Sequence, residues 1–120
     1  MISDRRMYNV KPGCEAAVVE LLKGEIEGNT IYTHSYRIYT SYISSYDVVV
    51  VEWEFEDLQE MQAAWDAWFA KTDITEFNEK WDELTERGGH GEIWELVAQR
   101  YALLPVSWWS VAYLQSCCAP

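Results

Sequence analysis

Basic residues are scarce. The 120-residue chain has 9 lysines and arginines against 20 aspartates and glutamates, a formal net charge of −11 at pH 7. Nucleic-acid binding needs a basic face to neutralise phosphates, and this composition offers none, so no nucleic acid is expected as a partner. An anionic membrane surface is disfavoured for the same reason. Cysteine and histidine are few. Cys14, Cys117 and Cys118 are odd in number and two are adjacent, so they give no disulfide framework and suit a reducing, cytoplasmic setting. With no Cys-x-x-Cys and only His34 and His90, there is no ligand set for a closed zinc site. The glycine-rich run Gly88-Gly89-His90-Gly91 follows a helical pattern instead of opening one, which removes the phosphate-loop reading. No Gly-x-Ser-x-Gly occurs. Residues 1–6 hold no apolar run, so no signal peptide is expected. The length supports one domain and excludes a multidomain enzyme.

What is present is apolar and aromatic. Hydrophobic residues make up 49% of the chain and aromatics 15%, too much for a disordered segment. Arg5 to Lys11 alternates and ends at Pro12-Gly13, which predicts a first strand. Cys14, Ala17, Val18, Leu21 and Leu22 recur at helical spacing, and Gly28 is a natural stop. Thr30 to Ile43 is rich in residues that suit a pleated surface. Val48 to Glu56 is the clearest strand, with Val49, Val51, Trp53 and Phe55 on one face and Glu52, Glu54 and Glu56 on the other.

Asp57 and Glu60 have the spacing of a capping box, and Leu58, Met61, Trp65, Trp68 and Phe69 then keep helical spacing. A second start follows at Asp73 or Thr75, with Phe77, Trp81 and Leu84 along it. Glu92 to Ala98 predicts a last strand. Trp65, Trp68 and Trp81 are read as core, with room for one of them to line a pocket between helix and sheet.

The order is β-α-β-β-α-β, with the second helix broken or doubled. That is the ferredoxin-like pattern of an α+β fold: a four-stranded antiparallel sheet with helices on one face. Residues 1–98 form this domain and residues 99–120 a C-terminal arm. Tyr101 to Pro120 carries no charge. Twenty helical residues would span about 30 Å, enough for a bilayer core. Pro105, three serines and Gln115 interrupt the run, and no basic cluster follows, so the segment is read as an arm packing over the domain or a partner subunit.

The open sheet face carries the functional expectation. A four-residue loop, Ser44 to Asp47, would pair Ile38 with Trp53, Tyr36 with Phe55, Tyr39 with Glu52 and Arg37 with Glu54. The open side then holds Ile43, Val48, Val50 and Tyr39 around an Arg37–Glu54 couple, with Glu52 beside it. That mixture is too apolar for a solvent wall and too charged for a dry core, and two such faces packed together would enclose a semi-polar cavity. A homodimer is therefore expected. The run from Arg37 to Leu58, preceded by Val10-Lys11-Pro12-Gly13 and a short helix, resembles the dimeric α/β-barrel superfamily, most of all NIPSNAP-like domains and cofactor-free antibiotic-biosynthesis monooxygenases. The resemblance spans about residues 4–98. It implies a small homodimer with a cavity for a small organic ligand and no cofactor, or else a cofactor-free monooxygenase acting on an aromatic or polyketide-like carbonyl compound. It transfers no catalytic residue. The residues themselves nominate Arg37, Tyr39, Glu52, Glu54 and His90 as pocket candidates. Arg37 could hold a carboxylate or enolate and a neighbouring glutamate could act as a base. The competing reading makes the same three charges an ion-pair network that keeps the dimer in register.

Overall fold

The computed structural model describes residues 1–43 and 46–102. In chain order the elements are β1 (Ile2–Asn9), α1 (Glu15–Glu27), β2 (Tyr36–Thr40), β3 (Val48–Phe55), α2 (Leu58–Ala70), α3 (Thr75–Leu84) and β4 (His90–Glu95). The strands form one sheet in the order β2-β3-β1-β4, and every neighbouring pair is antiparallel. This is the α+β, ferredoxin-like arrangement that the sequence predicts, with the second helix divided at residues 71–74.

The core lies between the sheet and α1 and α2. Val49, Val51, Trp53 and Phe55 are buried on β3, and Val18, Leu22 and Ile26 are buried on α1. The α1 stripe therefore runs one turn further than predicted, and Ala17 is exposed. Met61 and Ala64 are the buried contacts of α2. Trp53 and Trp68 rings meet at 4.6 Å between centroids, and Tyr8 stands edge-on to Trp81 at 4.8 Å. The predicted cap of α2 is present: Asp57 Oδ1 accepts from the Glu60 backbone N–H at 2.8 Å. Glu60 Oε2 accepts in return from the N–H of Glu56, one residue before the cap, at 2.8 Å.

Several strand boundaries differ from expectation, among them the end of β4, which stops at Glu95 and not at Ala98. β1 starts at Ile2 and ends at Asn9, because Asp4, a charge that reads as surface, lies on the buried side and is 2% exposed. β4 starts at His90, because His90 and Gly91 pair with Met7 and Arg6. Only Gly88 and Gly89 of that glycine-rich run form the turn, both at positive φ. A Cβ on Gly89 would sit 2.3 Å from the Met7 carbonyl oxygen, so glycine is required there.

The β2–β3 register is also shifted by two residues from the predicted one. Tyr36 pairs with Trp53, Arg37 with Glu52, Ile38 with Val51 and Tyr39 with Val50. The connection is longer than a four-residue loop because β2 ends at Thr40. Asp47, at φ 57, anchors it. Its carbonyl accepts from the Val10 N–H at 2.9 Å and its Oδ1 from the Gly13 N–H at 3.3 Å. A shift of two keeps each side chain on its predicted face.

Apart from Tyr101 and Ala102, the uncharged C-terminal segment lies outside the described residues. Among the described residues no helix is long and apolar enough to cross a membrane.

Candidate functional site

The two faces of the sheet carry different chemistry. On the open face a cross-strand row runs from β2 to β4 through Arg37, Glu52, Arg5 and Glu92. Arg5 Nε and Nη2 donate to Glu52 Oε2 at 3.1 and 2.8 Å. Arg37 Nη1 donates to Glu52 Oε1 at 3.2 Å and also to Glu54 Oε1. Glu52 is only 8% exposed and is clamped from both sides. The hydrogen bond to Glu52 pushes the Arg5 pKa up, and the Glu54 contact does the same for Arg37. Three of the predicted pocket residues, Arg37, Glu52 and Glu54, are thus brought together and paired with one another and with Arg5, with Arg37 engaged through Nη1. Arg5 was not singled out from the sequence.

The other two predicted residues stand one row further along, where Tyr39, Val50, Met7 and His90 cross the sheet in that order. Tyr39 and His90 therefore face the same side but from opposite margins. With Val48 they line a recess of about 660 Å³. His90 Nε2 lies 3.3 Å from Glu92 Oε1. The second histidine, His34, is elsewhere. It packs on Phe55 on the helix side, with Nε2 2.8 Å from Glu60 Oε1.

On the helix side the sequence reasoning missed a second constellation. β1 alternates so that Ile2, Asp4, Arg6 and Tyr8 pair with the inward residues Phe55, Trp53, Val51 and Val49 of β3. Two charges and a phenol thus occupy positions that would ordinarily be apolar. Asp4 Oδ2 accepts from the Trp65 indole N–H at 3.0 Å and from Arg6 Nε at 3.3 Å. The Arg6 guanidinium lies over the Trp65 ring, 4.8 Å from its centroid, a cation–π contact. Asp4 and Trp65 together fix the orientation of Arg6. With Nε engaged by Asp4 and the Tyr8 oxygen also within hydrogen-bonding reach, the remaining guanidinium N–H groups are the donors left for a further oxygen acceptor. Burial pushes the Tyr8 pKa up, an effect that neighbouring Arg6 partly opposes. The phenol therefore stays a hydrogen-bond donor at neutral pH.

These side chains border a cleft of about 420 Å³ between α2 and the β1–β4 edge, with Ile93 and Gly91 of β4 on its other wall. Gly91 pairs with Arg6 and has ordinary backbone space around it, so its missing side chain leaves the cleft open. His90 borders both this cleft and the open-face recess. The one sequence signal for this site is the anomaly of charges on both faces of β1. Among the described residues no group of three His, Cys, Asp or Glu side chains is placed to hold a metal.

No protein-family profile and no curated protein sequence matches this chain. Its fold is shared with solved structures. An uncharacterised NIPSNAP-like domain protein from Burkholderia xenovorans superposes with a TM-score of 0.72 at 19% identity, over 87% of this chain and 91% of that one. A NIPSNAP domain protein from the same organism gives 0.65 at 22% identity, over 85% and 100%. A NIPSNAP-family protein of unknown function from Agrobacterium tumefaciens gives 0.65 at 21% identity, over 78% and 86%.

Proposed function

We propose that this domain is a small-molecule-binding module that works as a homodimer, and that its ligand is an organic molecule bearing a carbonyl or carboxylate oxygen, held in the cleft between α2 and the sheet. One observation carries the reading: a carboxylate buried on the core side of β1, Asp4, spends its hydrogen bonds on orienting an arginine at the wall of a cleft. Apolar residues at positions 4 and 6 would pack the core at least as well, because buried charge pairs seldom add net stability. A few polar groups converging on the wall of a largely apolar cleft are the usual make-up of a small-molecule site. Arg6 and the Tyr8 hydroxyl supply donors for the ligand oxygen, while Trp65 and Ile93 supply an apolar wall for its body. The open face, with its paired charges, is the surface for the second copy.

Benzoate and acetophenone serve as probes, one with a carboxylate and one with a carbonyl. Calorimetric titration of either into the full chain is expected to show saturable binding that disappears in Gly91→Val, where a branched side chain projects into the cleft beside Arg6. Neither probe binding, or equal binding to the variant, would refute the assignment.

The alternative, cofactor-free oxidation of an aromatic or polyketide-like carbonyl compound, is favoured by one observation: His90, a potential proton acceptor, borders the same cleft. The pairing of Glu52 with Arg5 and Arg37, and of Glu54 with Arg37, argues against those carboxylates as its base. Oxygen uptake with such a substrate, lost in His90→Gln, would support turnover.

A further inference from the structure

The cleft beside Arg6 does not end at Ile93. On the helix-facing side of β4 stand Gly91, Ile93 and Glu95, opposite Arg6, Asp4 and Ile2 of β1. Ile93 borders the cleft of about 420 Å³ and also a second depression of about 630 Å³, whose apolar walls are Met1, Ile2 and Leu58. The two are successive parts of one groove between β4 and α2, with Ile93 as their shared wall. From Gly91 to Glu95 the groove follows four residue steps of strand, about 13 Å.

The groove exists because α2 packs mainly on β3, with Met61 and Ala64 as its buried residues. Ile93 consequently faces the helix layer yet is 49% exposed, and Leu58 at the start of α2 is 59% exposed. The polarity of the groove has a direction. Arg6 and Tyr8 stand at its inner end, Trp65 and Ile93 line its middle, and Glu56, Asp57 and Glu95 stand at its outer mouth. An anionic head group is drawn to Arg6 and repelled by the three carboxylates at the other end. An apolar tail then lies along Ile93 and Leu58. A compact acid such as benzoate reaches only the inner part.

We propose that the ligand is an unbranched monocarboxylate of medium chain length, its head on Arg6 and its tail running past Ile93 to Leu58. The proposal rests on the ligand reading above and adds the ligand's shape, length and direction.

Calorimetric titration tests it. Benzoate, butanoate and octanoate are titrated into the full chain and into Leu58→Glu, which places a charge in the outer groove at an exposed position. Full burial of one methylene tightens binding about fourfold, and a half-open groove gives part of that. Octanoate is expected to bind the native chain at least about tenfold more tightly than butanoate, and the ratio is expected to fall toward one in Leu58→Glu. Benzoate binding with no gain from butanoate to octanoate, as when the chain's own residues 103–120 fill the outer groove, overturns this inference alone. A gain that survives unchanged in Leu58→Glu also overturns it, because the tail then lies elsewhere. If neither chain acid binds, the inference falls; if benzoate and acetophenone are inert as well, the ligand reading falls with it.

Discussion

The indole N–H of Trp65 donates to Asp4 Oδ2 at 3.0 Å across 61 residues of sequence, and this bond ties α2 to a buried carboxylate of β1. Trp65→Phe keeps most of the ring volume and removes the donor. The loss is expected to destabilise the fold by about 1.5–3 kcal/mol, the usual range for a hydrogen bond to a charged group, while Asp4 Oδ2 keeps its bond from Arg6 Nε. Urea unfolding measures it. An unchanged midpoint and slope would mean that the bond contributes nothing.

Gly89 and Gly91 are separated by one residue yet differ in what they tolerate. Gly89→Ala places a Cβ against the Met7 carbonyl at a φ of 92°, so it is expected to destabilise by about 1–3 kcal/mol. Gly91→Ala meets only ordinary contact and should change stability by less than about 0.5 kcal/mol. Equal effects at the two positions would contradict the register of β4.

Alkaline stability depends on Tyr32. Its hydroxyl donates to Glu25 at 3.2 Å, and burial followed by the Glu25 charge raises its pKa from 10.0 to about 12. Between those values the folded state holds a proton that the unfolded state has released. Its stabilisation is complete below pH 10 and is lost as pH rises toward 12. The melting temperature should fall across that window, and Tyr32→Phe should flatten part of the fall. An identical decline in the variant would remove Tyr32 as a cause.

Glu52 holds two arginines at once. Glu52→Gln keeps its shape but removes the charge, leaving Arg5 and Arg37 facing each other across one strand. The expected loss is about 1–3 kcal/mol at low salt, shrinking as salt screens the facing arginines. Denaturation at two ionic strengths checks it, and a salt-independent loss would point to packing instead.

The fold was legible where local chemistry decides it. The alternation from Val48 to Glu56 placed every β3 side chain on its observed face, and Asp57 with Glu60 marked the start of α2. The β2–β3 register was not legible, because a pleat repeats every two residues and a shift of two preserves all face assignments. The contacts that anchor it, from Asp47 to Val10 and Gly13, link segments far apart in sequence. Arg37, Glu52 and Glu54 were legible as a group, but the second clamp on Glu52 comes from Arg5 of another strand. Asp4 and Arg6 were illegible as a site because inward charges contradict the hydrophobic pattern. Their meaning appears only once Trp65 arrives from α2.

The most direct test is the indole N–H resonance of Trp65, assigned by its disappearance in Trp65→Phe and followed while benzoate is added to the full chain. The account predicts a saturable shift of that resonance in the native sequence and none in Gly91→Val. A Trp65 signal that stays fixed at saturating benzoate, while resonances of Tyr39 or Val50 on the opposite face move, would contradict it.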